Sequence, residues 1–324
     1  MNNQPLVSII TPCYNGESFL HRYFNAILSQ TYQNIELIFV NDGSKDRTEE
    51  IALSYKDRLE NRGVKFIYLY QENAGQAAAV NRALKLFKGE YLTWPDSDDW
   101  MSDDCIEKKV SYLQSHPEYS MVMCNTAKVL ESDLFKCVSY YGRNDKKKHD
   151  IFEDLISTND VYFAPGGYMV CSKALLETVP DRNIFCGNTG QNMQLLLPSA
   201  YKRKCGFMED VLYYYLVRDN SHSRASKTPQ QVYNSLYGNE TTVIETLKLI
   251  NMNVEERESY IELAKFSWAK KRFYAAAEFN DTESVVEFYK EMKNVSKTNF
   301  KLYIQYIVFK SKVLSRVYNI FKGR

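Results

Sequence analysis

Three carboxylates stand almost side by side in the stretch Gly89-Glu90-Tyr91-Leu92-Thr93-Trp94-Pro95-Asp96-Ser97-Asp98-Asp99-Trp100. Asp96 and Asp98 are two residues apart, so in extended backbone their side chains leave on the same side. Two carboxylates brought together repel, which raises a pKa or calls for a cation between them. Mg²⁺ or Mn²⁺ meets that need with oxygen ligands, and substrate phosphates commonly supply part of its shell. Asp98 is the first candidate ligand and Asp96 the second. The competing reading is an acidic turn capping a helix, since Asp103 and Asp104 can also open the run from Cys105.

Two loops upstream offer complementary chemistry. Tyr14 presents an aromatic face on which a nucleobase can stack. In Asn41-Asp42 a carboxylate can accept from a base N–H and an amide can read a carbonyl. Together with the acid pair these groups describe a nucleoside-diphosphate site. Each has a bland alternative: Tyr14 in the core, Asp42-Gly43 as a turn, Asp96 as a helix cap.

The elements that must position these groups are legible. Leu6–Ile10, Ile35–Val40, Val64–Leu69 and Tyr91–Trp94 read as buried strands. Helical patterns follow from Glu17, from Thr48 and from Gln76. Strands alternating with helices predict a mainly parallel, Rossmann-like α/β sheet, whose ligands bind beyond the carboxyl ends of the strands. The alternation weakens after residue 125. Val129–Tyr141 reads as a hairpin or irregular cover, and Arg143–Asp150, with its three consecutive lysines, as a solvated loop tip. Phe163-Ala164-Pro165-Gly166-Gly167-Tyr168 is a turn where backbone could approach a ligand closely. From Thr228 the chain reads as helical, over 229–250, 254–279 and 282–293.

Composition narrows the class. A chain of 324 residues with 44% hydrophobic and 25% charged residues is of ordinary globular type, and its length suggests about two domains. A net charge of +1 gives no reason to expect nucleic acid. The seven cysteines form no CxxC pair and suit reduced thiols in a cytoplasmic protein. No signal-peptide pattern opens the sequence and no apolar run is of bilayer-spanning length, so a cytoplasmic location is expected.

Four ordered motifs then carry a resemblance. Val7-Ser8-Ile9-Ile10-Thr11-Pro12-Cys13-Tyr14-Asn15 resembles the opening motif of family 2 glycosyltransferases, a group with the GT-A fold. Val40–Thr48 is similar to that family's nucleotide-binding loop. Asn73-Ala74-Gly75-Gln76 with Asn81-Arg82-Ala83-Leu84 resembles its third motif, and Gly89–Trp100 its DxD segment. The resemblance implies a metal-dependent, inverting sugar transfer from a nucleotide-diphosphate donor. It places Pro12, Tyr14, Asn41, Asp42, Asn73, Gly75, Asp96 and Ser97 around the nucleotide, and Asp98 on Mn²⁺ or Mg²⁺.

One departure concerns the general base. Where many relatives carry a Glu-Asp pair at a helix start, Gly187–Pro198 carries Gln191 and Asn192. An amide is no ordinary base. Asp181, just before this stretch, is the nearest alternative carboxylate; Glu209-Asp210 precedes a strand and ranks lower. Arg218–Arg224 resembles the family's basic loop, with Arg218 or Arg224 as diphosphate partners and His222 as a further metal ligand.

The reading divides the chain into a nucleotide-sugar half (1–125), an acceptor-side part (126–227) and a helical C-terminal region (228–324). The stretch 300–324 mixes apolar and basic residues without any acid, a pattern suited to an anionic membrane surface or, as the rival reading, to packing on the catalytic domain or a second subunit. It fits transfer to a glycan or lipid-linked acceptor in surface-polysaccharide assembly, on the inner face of the membrane. The rival from another class is a non-catalytic sugar-nucleotide-binding or scaffold protein. A sugar nucleotidyltransferase is disfavoured, since no glycine-rich, lysine-bearing phosphate loop follows the first strand.

Overall fold

The computed structural model describes residues 4–187, 189–218, 228–295, 299–311 and 314. The first half alternates strand and helix as the apolar runs predict: β1 (Val7–Cys13), α1 (Leu20–Leu28), β2 (Ile35–Asp42), α2 (Thr48–Ser54), α3 (Lys56–Asn61), β3 (Lys65–Gln71), α4 (Gln76–Leu84) and β4 (Tyr91–Thr93). β1 and β2 are buried along their whole length, which is why both read as unbroken apolar runs rather than alternating ones. Tyr23 and Phe24 of α1 pack on Phe39 of β2, and Phe24 also meets Phe66 edge-on, covering one face of the sheet. α4 lies on β1 and β2.

The second half adds β5 (Trp100–Met101), α5 (Cys105–Ser115), β6 (Tyr119–Leu130), β7 (Asp133–Tyr141), α6 (Phe152–Ser157), β8 (Tyr168–Cys171), α7 (Ser172–Thr178), α8 (Met193–Ala200) and β9 (Lys204–Val217). All nine strands form one sheet in the order β3-β2-β1-β4-β8-β6-β9-β5, with β7 paired to β6. The sheet is parallel from β3 through β4 and mixed beyond, because β8 runs antiparallel to both β4 and β6. Residue 125 falls inside β6, so the two proposed parts of the catalytic region share this sheet. β6 and β7 make the hairpin; β7 is an exposed edge with Phe135 fully in solvent.

One loop expectation is corrected and another holds. The Pro165–Gly167 turn is buried, and what approaches Gly166 is a ring: a Cβ there would lie 2.1 Å from the Tyr213 side chain. The turn serves packing. The basic loop at 143–150 is solvated as expected, with 144–148 exposed; Lys146 pairs with Glu209 at 2.9 Å and Lys148 with Asp154 at 2.8 Å, and Arg143 alone turns inward, buried against Asp154 and Asp160.

α9 (Pro229–Leu249), α10 (Val254–Glu278), α11 (Thr282–Val295) and α12 (Phe300–Phe309) form the helical region. Their starts are encoded locally. Thr228 and Gln231 close a capping box with Pro229 behind it, and the Asn253 and Asn299 side chains accept from Glu256 N–H and Leu302 N–H. The buried Arg272 guanidinium clamps three of the helices, pairing with Glu240 and Glu291 and stacking 3.8 Å from the Tyr237 ring centroid.

Candidate active site

β1, β2 and β4 run parallel, so the loops that leave their carboxyl ends meet at one edge of the sheet. The loops after β1 and β2 are laced by backbone-to-side-chain bonds. Asn15 N–H donates to Ser44 Oγ, Gly16 N–H to Thr48 Oγ1 and Glu17 N–H to Asp46, while Lys45 and Arg47 N–H return to Asn15 and Glu17. This lacing leaves Tyr14 at the lip of a cleft of about 320 Å³ with half its surface exposed.

Asp42 ends β2 in the wall of that cleft, nearly buried. Its carboxylate accepts from Gln71 Nε2 at 2.7 Å, and from the backbone N–H of Ala74 and Gly75 at 2.9 Å each. Asn73 donates to the Asp42 carbonyl. Asn73 and Gly75 therefore stand behind Asp42 as its supports. Gly43 must be glycine: its φ is +73° and a Cβ would lie 2.5 Å from Asn73 N. Asn41 is buried too, with its amide spent on Tyr68 Oη and on Ser44 N–H.

The acidic loop closes the floor. Ligand oxygens of Asp96, Asp98 and Asp99 lie within 4.8 Å of one another. Burial, reinforced by the neighbouring Asp98 charge, pushes the Asp96 carboxyl up to about 7. Asp99 is driven in the same direction by burial and by both neighbours. Three carboxylates so placed carry charge that a divalent cation would neutralise, and the oxygen donor set suits Mg²⁺ or Mn²⁺. The three are not equivalent. Asp99 is buried with both oxygens engaged, one by Tyr213 Oη–H at 2.8 Å and one by Leu216 N–H at 2.8 Å. Asp96 accepts from Gln76 Nε2 at 3.0 Å, and Asp98 faces Arg218 Nη2 at 3.1 Å. Asp96 and Asp98 are thus the members whose oxygens face the cleft.

The remaining sequence candidates separate by place. Pro12 and Ser97 line the cleft, Ser97 beside the Cys13 thiol, and Arg218 closes it over Phe19. Asn192 precedes α8, where its Oδ1 accepts from the Trp94 indole at 3.1 Å and its amide reaches the Phe163 carbonyl. Gln191 lines a neighbouring cavity. Asp181 is exposed in a turn beside Arg182, which holds the Leu84 and Phe87 carbonyls at the end of the sheet away from the cleft. His222 and Arg224 lie outside the described residues. Sequence reasoning missed Tyr213, Tyr215 and Arg22, and gave Gln76 only as the end of a motif, without a role. Arg22 donates to the Asp98 carbonyl and lies 4.5 Å from the Trp100 ring.

The family model for glycosyl transferase family 2 matches residues 8–179, more than half of the 324-residue chain. The chain belongs to this family. An uncharacterized glycosyltransferase of Rickettsia prowazekii is 40% identical over 149 residues, covering 45% of each protein. The chain thus spans less than half the length of that curated relative. Among solved structures, residues 1–349 of TarS from S. aureus, in complex with UDP-GlcNAc, match with a TM-score of 0.62 at 15% identity, over 94% of this chain and 90% of that one. The mannosyltransferase PcManGT from Pyrobaculum calidifontis, in complex with GDP-Man and Mn²⁺, matches with a TM-score of 0.51 at 16% identity, over 100% and 89%. At these identities the likeness establishes the fold: the chain is GT-A-like, with a helical C-terminal region.

Proposed function

We propose that this family 2 glycosyltransferase moves a hexose from a nucleoside-diphosphate sugar, with UDP as the favoured carrier, to a glycan or lipid-linked acceptor in surface-polysaccharide assembly. One observation carries the reading: the close Asp96–Asp98 pair, one carboxyl pushed up to about 7, on the floor of a cleft whose lip is Tyr14. The UDP-GlcNAc complex of TarS supports the choice of carrier, and the Mn²⁺ of the mannosyltransferase complex supports a metal.

In this reading Tyr14 stacks on the base and Pro12 flanks it, while Asp42, held by Asn73 and Gly75, reads it, and Asn41 braces the loop from behind through Ser44 N–H. Ser97 and Asp96 meet the ribose and diphosphate. Asp98 and Asp96 would hold Mn²⁺ or Mg²⁺, which when bound supplies Lewis acidity toward the leaving diphosphate. Arg218, with Arg224 and His222 from the segment that follows, is assigned to the diphosphate and metal. The acceptor oxygen forms its bond to the anomeric carbon as the bond from that carbon to the diphosphate oxygen breaks. The nucleoside diphosphate leaves with the electron pair, the acceptor proton passes to a base or to solvent, and in-line attack inverts the centre. Residues 1–125 supply the donor side and 126–227 the acceptor side.

A second reading, a sugar-nucleotide-binding protein without turnover, is favoured by Asn192, whose amide is engaged at both ends and offers no base. The deciding measurement is diphosphate release from a panel of UDP-, GDP- and dTDP-sugars with Mn²⁺, with and without membrane lipid extract. Release that is lost with EDTA and in Asp98→Asn supports the enzyme. Metal-dependent binding with no release under either condition supports the second reading.

We also assign the tail a place at the inner face of the cell membrane. No helix of the described residues is long and apolar enough to cross a membrane. α12 turns Leu302 and Phe309 inward, while Phe300, Tyr303, Ile304 and Ile307 face solvent with exposures of 76, 49, 46 and 37%. Lys301 and Lys310 flank that stripe, a composition suited to an anionic lipid surface.

A further inference from the structure

A second cavity, of about 470 Å³, opens beside the start of α8, where Thr158, Phe163, Gln191, Asn192, Asn239 and Lys271 meet. It continues the trough that begins at the acid pair. Tyr215 lines both the acidic cleft and a pocket of about 400 Å³ beside the β6–β7 hairpin, and Val161 and Phe163 are shared between that pocket and the cavity at α8. Trp94, two residues before Asp96, ties the acidic loop to Asn192 on the cavity wall.

Charge in this cavity is one-sided. No carboxylate of the described residues lines it. Among the described residues Lys271 has no ion-pair or hydrogen-bond partner, and its ammonium lies 5.6 Å from the Trp268 ring. Burial pulls its pKa down, Lys270 pulls it further, and no acid pushes it back. Among the described residues the other buried cations have partners: Arg143 pairs with Asp154 and Asp160, Arg272 with Glu240 and Glu291, and Lys109, which has no acid beside it, donates to the Gly166 carbonyl at 2.6 Å. A half-buried ammonium without a counter-ion is destabilising until a ligand brings one.

We propose that this cavity receives an anionic group of the acceptor, a sugar carboxylate or a phosphate, against Lys271. The inference rests on the glycosyl-transfer reading and names its acceptor class. The amides of Gln191 and Asn239 supply neutral donors beside the ammonium, and Val161, Leu236 and Met193 cover the apolar faces of a sugar. The amide pair then has a physical rationale: two carboxylates at 191 and 192 would repel an anionic acceptor, and two amides do not.

The test uses the full chain at low salt with methyl glucuronide and glycerol 1-phosphate as probes, each against its uncharged counterpart, methyl glucoside and glycerol. Binding is read by ligand-observed NMR for the wild type, Lys271→Gln and Lys271→Arg. A charge-assisted bond to a half-buried ammonium should make one charged probe bind on the order of tenfold tighter than its neutral partner. Lys271→Gln should erase that preference and Lys271→Arg should retain most of it. Preference for the glucuronide identifies a carboxylate source, and preference for the glycerol phosphate a phosphate source. Equal binding of charged and neutral probes by the wild type, or a preference that survives in Lys271→Gln, overturns the proposal. Mn²⁺-dependent UDP affinity of the wild type, measured alongside, reports separately on the donor reading: its absence would sink that reading instead.

Discussion

Tyr213→Phe removes one oxygen atom and should loosen the acidic loop from behind. The Tyr213 hydroxyl donates to Asp99 at 2.8 Å and accepts from Asp96 N–H at 3.2 Å, joining both ends of the loop to β9. The ring itself is fully buried against Gly166, so phenylalanine keeps its position and leaves two polar groups without a partner. Loss of a hydrogen bond to a charged or strongly polar group and orphaning of its partner cost about 2 kcal/mol together, within a range of roughly 1–4 kcal/mol. Urea unfolding should register that loss. The sharper readout is Mn²⁺-dependent UDP binding by calorimetry. Removing a partner that orients ligating carboxylates typically weakens metal affinity by about 10–100-fold, so Tyr213→Phe should bind the Mn²⁺–UDP pair weaker by that factor. A folded Tyr213→Phe protein that binds the pair as tightly as wild type would refute the claim that Tyr213 and Asp99 hold the acid pair in place.

Three further outcomes follow from the same structure. Arg272→Met leaves Glu240 and Glu291 without their shared cation, and breaking such a buried pairing should cost about 3–5 kcal/mol in chemical denaturation; an unchanged midpoint would show that Arg272 does not clamp the helical region. Burial pushes the Asp160 carboxyl up, but the Asn144 and Asp145 amides and the Arg143 charge outweigh it and hold the carboxyl below its ordinary range. Its stabilisation is therefore present above the unfolded carboxyl pKa of about 3.9 and is lost as pH falls through the lower folded value. Asp160→Asn should be less stable than wild type at pH 7, with a gap that closes on acidification; a gap that widens toward pH 3 contradicts the assignment. Ile304→Asp with Ile307→Asp alters the exposed face of α12 while Leu302 and Phe309 stay packed. That double variant should lose flotation with anionic liposomes, and undiminished flotation would remove the membrane role.

How much could be read in advance depended on the distance over which each feature is specified. The buried strands of the first half are continuous apolar runs bounded by turn residues, and the starts of α9 and α10 are written in their caps, Thr228-Pro229 and Asn253. The acid pair was legible because two residues of spacing fix a shared side in extended backbone. The family's motifs are equally local, each a run of a few consecutive residues. Such features rest on neighbours in the chain, and the sequence alone determines them.

Other features rest on residues brought together from far apart. Asp99 and Tyr213 are separated by 114 positions, Trp94 and Asn192 by 98, and no periodicity announces either pair. The glycine turn at 165–167 reads locally as room for a ligand, and the Tyr213 ring fills that room instead. Asn73 and Gly75 lie in a family motif, yet the structure shows them supporting Asp42 from behind. Lys271 is one lysine among many on a helix, and its lack of a counter-ion emerged once α6, α8, α9 and α10 enclosed a cavity around it. Sequence fixes which groups the chain carries and which local elements present them. Which groups lose their water, and which then find a partner, is decided by packing across the whole chain, because desolvation and pairing depend on every neighbour in space.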